Sequence, residues 1–141
     1  MHAHAVLRET FGGAGPYGPE LGDEDHLQTF RVGDYSIRVP YVGSVFMEVD
    51  KRIQEMDRLG IDIQMLSPNP LTFFGGIPSP EAVNFARLSN DAMANLITAD
   101  PERLLGTASL PMQDPDAACA ELERAVKNLG LVGGYIGTDY G

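Results

Sequence analysis

From Val45 to Thr138 the sequence alternates between helical periodicity and short apolar runs, and no other feature limits its fold as much. Residues 48–59 place Val49, Ile53 and Met56 on one helical face, and Gly60 follows as a C-terminal cap. IDIQMLSP then reads as a strand. Ser79 and Pro80 supply a cap and first-turn proline for a helix running to about Ala99, with Pro101 beyond it. RLLGTASLP reads as the next strand. Asp114 and Pro115 repeat the helix start, Ala118, Leu122, Ala125 and Leu129 form the apolar stripe, and Gly130 ends it. LVGGYIGT is the last strand. Helices alternating with apolar strands predict an α/β fold, a parallel sheet covered by helices. An open doubly wound sheet and a (β/α)8 barrel both satisfy the pattern.

Ahead of this region the pattern is weaker. GGAGPYGPELGDED is rich in turn formers and acids and predicts loop, and TFRVGDYSIRVPYVG predicts a short hairpin around Gly33-Asp34. GGAGPYG follows no apolar strand, so it is a poor phosphate loop. The 141 residues suffice for one ordinary domain. A TIM barrel usually needs about 250 residues. The expectation is therefore the N-terminal half of a (β/α)8 TIM barrel over residues 1–141, its first strand clipped at the start and its later strands absent.

A net charge of −10 disfavours nucleic acid and anionic membranes as partners. No apolar run approaches the roughly 20 residues that span a bilayer, and no signal-peptide pattern opens the chain. The single cysteine, Cys119, excludes an internal disulfide and falls within a predicted helix, where a buried structural thiol is expected. These features predict a cytoplasmic protein.

Two of the three histidines open the chain as His2-Ala3-His4. Alternate residues of a strand share a face, so both imidazoles would project together. Side by side they can hold one divalent metal ion, at about 2.0–2.1 Å for zinc, and at the C-terminal mouth of a barrel strand they would stand at the catalytic face. The same spacing also fits two exposed histidines on a frayed end.

Four stretches carry a more specific pattern. They are R-I-x-E-M-D-x-x-G-I-D from Arg52 to Asp62, Asn90-Asp91, P-E-R-L-L-G-x-A-x-L-P-M-Q-D-P from Pro101 to Pro115, and G-x-x-G-x-x-I-G-T ending at Thr138. Together they resemble the amidohydrolase-related family, and within it the aminocarboxymuconate-semialdehyde decarboxylase group. The resemblance implies a metal-dependent hydrolase-type (β/α)8 barrel in which His2 and His4 are two ligands of Zn2+ or another divalent metal. The family's other ligands and its catalytic histidine fall beyond residue 141. It implies a carboxy-lyase acting on a small unsaturated or aromatic carboxylic acid through a metal-activated water, with a homodimer as the full-length form. A hydrolase of amides or lactones on the same scaffold, or an inactive truncated chain, are the alternatives.

Further residues follow from the same resemblance and from loop position. Phe30-Arg31 resembles a family Phe-Arg whose arginine lies near the substrate carboxylate, although Arg31 could equally pair with one of the abundant acids. Asn69, Phe73 and Phe74 follow a strand, where loops build a barrel's mouth, and the two phenylalanines could wall a flat substrate or pack beneath the loop. His26 reads as an exposed loop histidine, Asp62 as structural at the barrel base and Asp114 as a helix cap. Thr138 and Asp139 could line the site.

Overall fold

A computed structural model of the chain describes residues 1–138. Its strands are β1 (His2–Ala5), β2 (Glu20–Glu24), β3 (Leu27–Val32), β4 (Tyr35–Arg38), β5 (Gln64–Pro68), β6 (Leu104–Gly106), β7 (Ala108–Ser109) and β8 (Gly134–Tyr135). The helices are α1 (Val49–Leu59), α2 (Ser79–Ile97) and α3 (Pro115–Asn128). β1 pairs with β5, β5 with β6 and β7 with β8, all in parallel. Thr107 links β6 to β7 as one run, and its N–H donates to the Leu66 carbonyl at 2.8 Å. Each new parallel strand thus adds beside its predecessor, with a helix between. That progression is barrel winding; a doubly wound sheet reverses direction partway.

Local signals set the helix ends. Gly60 takes the left-handed conformation (φ 66°) that closes α1. The Asp114 side chain accepts from the Ala117 N–H at 3.0 Å, with Pro115 in the first turn of α3. The α2 cap falls one residue earlier than expected. Pro78 takes that position, its carbonyl accepting from the Ala82 N–H at 3.1 Å, and Ser79 is already helical.

The core lies between the sheet and the helices. Leu66, Leu104 and Ala108 from the strands meet Met56 of α1, Ala92 and Met93 of α2, and Ala125 of α3. Gly106 is enclosed there. A Cβ on it would stand 2.7 Å from Met93 Cγ, 2.9 Å from Leu131 Cδ2 and 3.3 Å from Ile97 Cγ2. Gly106→Ala is expected to destabilise the chain by about 1–3 kcal/mol through overpacking, read as a lower denaturant midpoint. An unchanged midpoint would mean these side chains move aside freely.

Three expectations are corrected. The acidic stretch is not all loop: β2 forms within it and pairs antiparallel with β3, which pairs with β4. ELGDE shows no apolar alternation, and its strand exists through pairing with β3, whose Phe30 is buried against Val6 and Tyr41. Cys119 is exposed. Ala118 and Ala125 hold the buried line of α3, and the next residue lies about 100° around the helix. Glu121, rather than Leu122, completes that buried line at 3% exposure. Its carboxylate accepts from Asn90 Nδ2 at 2.8 Å and from Arg124 Nη2 and Nε at 2.7 and 2.9 Å.

Candidate metal centre

The sheet register sorts the parallel strands into two faces. Ala3, Ala5, Leu66 and Leu104 turn toward the helices and form core. His2 lies opposite Met65 and His4 opposite Ser67, on the other face. Both imidazoles reach one atom there: His2 Nε2 is 2.9 Å and His4 Nδ1 2.7 Å from Ser67 Oγ. The rings meet edge to face with centroids 4.9 Å apart. The predicted side-by-side projection of the two histidines is therefore the geometry of the folded chain, with the partner strand supplying a hydroxyl between them.

The surroundings favour neutral imidazole. Partial burial, together with the neighbouring His2, holds the His4 pKa below its ordinary value despite an opposing hydrogen bond to the Pro68 backbone. A neutral ring keeps the lone pair a metal needs. Behind β1, Arg52 of α1 donates from Nη2 to the His4 carbonyl at 2.8 Å and from Nη1 to Gln64 Oε1 at 2.7 Å. This guanidinium is 4% exposed, and burial pushes its pKa down to about 10, so it stays charged at neutrality. It fixes the backbone of the residue that carries the second imidazole.

A divalent cation fits the chemistry of two imidazoles held side by side on one face, although the nitrogens that converge here do so on Ser67 Oγ, which a cation would have to displace. Among the described residues no group of three or more His, Cys, Asp and Glu side chains is placed to hold a metal.

The other expected site residues separate. Phe73 reaches the histidine face, its ring 5.1 Å from that of Tyr135. Tyr135 in turn lies 5.5 Å from His2 and 5.8 Å from His4 between centroids. Phe74 turns the opposite way, buried with Ala14, Ile77, Ala82 and Phe85. The Asn69 carboxamide accepts from the Leu71 N–H at 3.0 Å and donates to the Tyr41 hydroxyl at 3.0 Å, so it caps a short turn. Arg31 lies on the β2–β4 meander, 2.6 Å from Glu20 Oε2 and donating to the Gly33 carbonyl at 2.7 Å, which realises the pairing with an acid. His26 is exposed in the β2–β3 turn. Asp57 takes Arg103 at 2.7 Å, and the same guanidinium donates to the Asp62 carbonyl, in keeping with a structural base. Thr138 is exposed, and Asp139 lies outside the described residues.

Ser67, Tyr135 and Arg52 were not anticipated as site residues. The first two are readable only once strand register is known, because period-two alternation decides which of a strand's residues share the histidine face.

Comparison with known proteins agrees with this arrangement. The chain is 36% identical over 104 residues to the 2-amino-3-carboxymuconate-6-semialdehyde decarboxylase of Dictyostelium discoideum, covering 69% of this chain and 29% of that protein. It is 42% identical over 87 residues to the gamma-resorcylate decarboxylase of Polaromonas sp. strain JS666, covering 62% of this chain and 27% of that protein. The chain therefore spans less than a third of the length of these curated relatives. A crystal structure of the dihydroxybenzoic acid decarboxylase of Polaromonas sp. JS666, with bound manganese and the inhibitor 2-nitroresorcinol, superposes with a TM-score of 0.67. That match is 34% identical and covers 93% of this chain and 35% of that one. The amidohydrolase family model matches residues 1–141, and the strand order, the H-x-H pair and these relatives agree with it: the chain belongs to the amidohydrolase family.

Proposed function

We propose that this chain supplies part of the active site of a metal-dependent carboxy-lyase acting on a small aromatic or unsaturated carboxylic acid. The observation that carries the reading is the convergence of His2 and His4 on one point of the sheet's inner face. Its support is the kinship with decarboxylases, one of which binds manganese. Zinc is the ion we favour for two imidazole donors. A divalent cation held there would act as a Lewis acid on a carboxylate or a water. The chain's own residues have three tasks. Ser67 orients the imidazoles, Arg52 anchors the β1 backbone through the His4 carbonyl, and Phe73 borders the substrate space. Two donors do not complete a coordination sphere, so turnover is inferred to require donors in addition to His2 and His4. The same reading takes the whole enzyme as a cytoplasmic homodimer. Among the described residues no helix is long and apolar enough to cross a membrane.

The test is carbon dioxide release from 2,6-dihydroxybenzoate by the protein loaded with zinc or manganese. Release that EDTA abolishes and metal restores supports the reading. Metal-independent release, or none with metal bound and all donors supplied, sinks it.

A further inference from the structure

We propose that the cleft between β1 and α1 is a further binding site, one that takes a small aliphatic carboxylate and holds it on Arg52. This inference goes beyond the carboxy-lyase reading and does not depend on it. The cleft opens beside Ala3 and Met56, on the helix side of β1, whereas the histidine side chains reach Ser67 on the other face.

The charge balance around Arg52 argues for it. Every other arginine of the chain pairs with a carboxylate. Arg52 is the one buried arginine, and it has no acidic partner among the described residues, in a protein of net charge −10. Its hydrogen bonds to the His4 carbonyl and to Gln64 Oε1 reach neutral oxygens, and its Nε–H has no partner among the described residues. Burial lowers its pKa to about 10 with no acid to oppose the shift. A buried guanidinium without a counter-charge is costly, and a carboxylate offsets that cost through charge-assisted, forked hydrogen bonds. The cleft that Arg52 lines measures about 170 Å³, and its walls are mainly apolar, among them Val45, Phe46, Met56, Leu59 and Ile61. Phe46 and Leu59 remain exposed, which leaves the entrance open. A single cation among apolar walls suits an acid with one charged head and a short alkyl chain. The cleft carries one carboxylate of its own, that of Glu55. It is forked onto Arg58 at 2.6 and 2.8 Å and leaves Arg52 unpaired. Its negative charge disfavours a second acidic group on the ligand, so the site selects a monocarboxylate.

The experiment titrates the metal-free chain at neutral pH with hexanoate and with its neutral counterpart hexanamide. Calorimetry and the methyl NMR signals of Met56 and Leu59 are followed in wild type, Arg52→Met and Glu55→Gln. The expected result is one hexanoate per chain, with both methyl signals shifting and hexanamide binding at least roughly 10-fold more weakly, as loss of hydrogen bonds to a charged group implies. Arg52→Met should remove the preference for the acid. Glu55→Gln takes away the competing negative charge and should strengthen hexanoate by roughly 2- to 5-fold while leaving hexanamide unchanged. Glu55 lies on the exposed side of α1, so this variant decides the matter even if Arg52→Met does not fold. The proposal is overturned if hexanoate does not bind, or if its binding leaves the Met56 and Leu59 signals in place. It is overturned equally if Glu55→Gln fails to strengthen hexanoate, or if hexanamide binds as well as the acid, the behaviour of an apolar cleft that seats a polypeptide segment instead.

Discussion

His2→Ala combined with His4→Ala is expected to weaken divalent-metal binding by well over 100-fold, with the fold intact. Loss of a hydrogen-bonding partner behind a metal ligand commonly costs about 10–100-fold in affinity, so losing two ligands exceeds that range. The fold should survive because both side chains point away from the apolar core, toward Ser67, while Ala3 and Ala5 carry the packing of β1. The measurement is zinc or manganese stoichiometry by competition with a chromophoric chelator, alongside circular dichroism. Unchanged metal content in the double variant would remove His2 and His4 from the coordination sphere.

Asn90→Ala is expected to have the largest effect on stability, about 3–5 kcal/mol, or a fall in Tm of roughly 10 °C. The Asn90 carboxamide behaves as a strand neighbour for Ser109. Its Oδ1 accepts from the Ser109 N–H at 2.7 Å, and its Nδ2 donates to the Ser109 carbonyl at 3.0 Å. The same Nδ2 donates to buried Glu121 at 2.8 Å. Truncation leaves three buried polar groups short of a partner, each worth about 1–3 kcal/mol. Burial alone would raise the Glu121 pKa, but hydrogen bonds from Arg124 and Asn90 prevail and hold it below the ordinary value. Its stabilising contribution is therefore complete above the unfolded value of about 4.3 and is lost as pH falls through the lower folded value. Glu121→Gln should flatten that acid limb. A thermal shift of only a degree or two in Asn90→Ala would show that water substitutes for the carboxamide.

Features that depend on neighbours in sequence were legible. The Gly60 cap, the Asp114-Pro115 start and the alternation of helix and strand need only local chemistry. The common face of His2 and His4 needs only the two-residue period of a strand. Features that depend on pairing were not. β2 is a strand because β3 lies beside it, and Tyr135 reaches the histidines because β8 aligns with β7. Phe73 and Phe74 diverge although adjacent, since the backbone at Phe74 is left-handed (φ 52°) and sends its ring to Phe85 at 4.6 Å. Cys119 differs from Ala118 by one step of helical phase, which a stripe read from sequence cannot place when small residues flank it.

The Ser67 hydroxyl makes the two imidazoles chemically unequal. It is fully buried and carries one hydrogen, and its only hydrogen bonds among the described residues are with His2 and His4. That hydrogen must point at one ring nitrogen, while the other ring can donate its own N–H to the same oxygen. The pair thus forms a directional relay with a head and a tail, and the direction of the serine hydrogen sets the tautomer of each ring. The nitrogen that accepts the serine hydrogen has its lone pair covered, so a cation entering there has first to swing the hydroxyl aside.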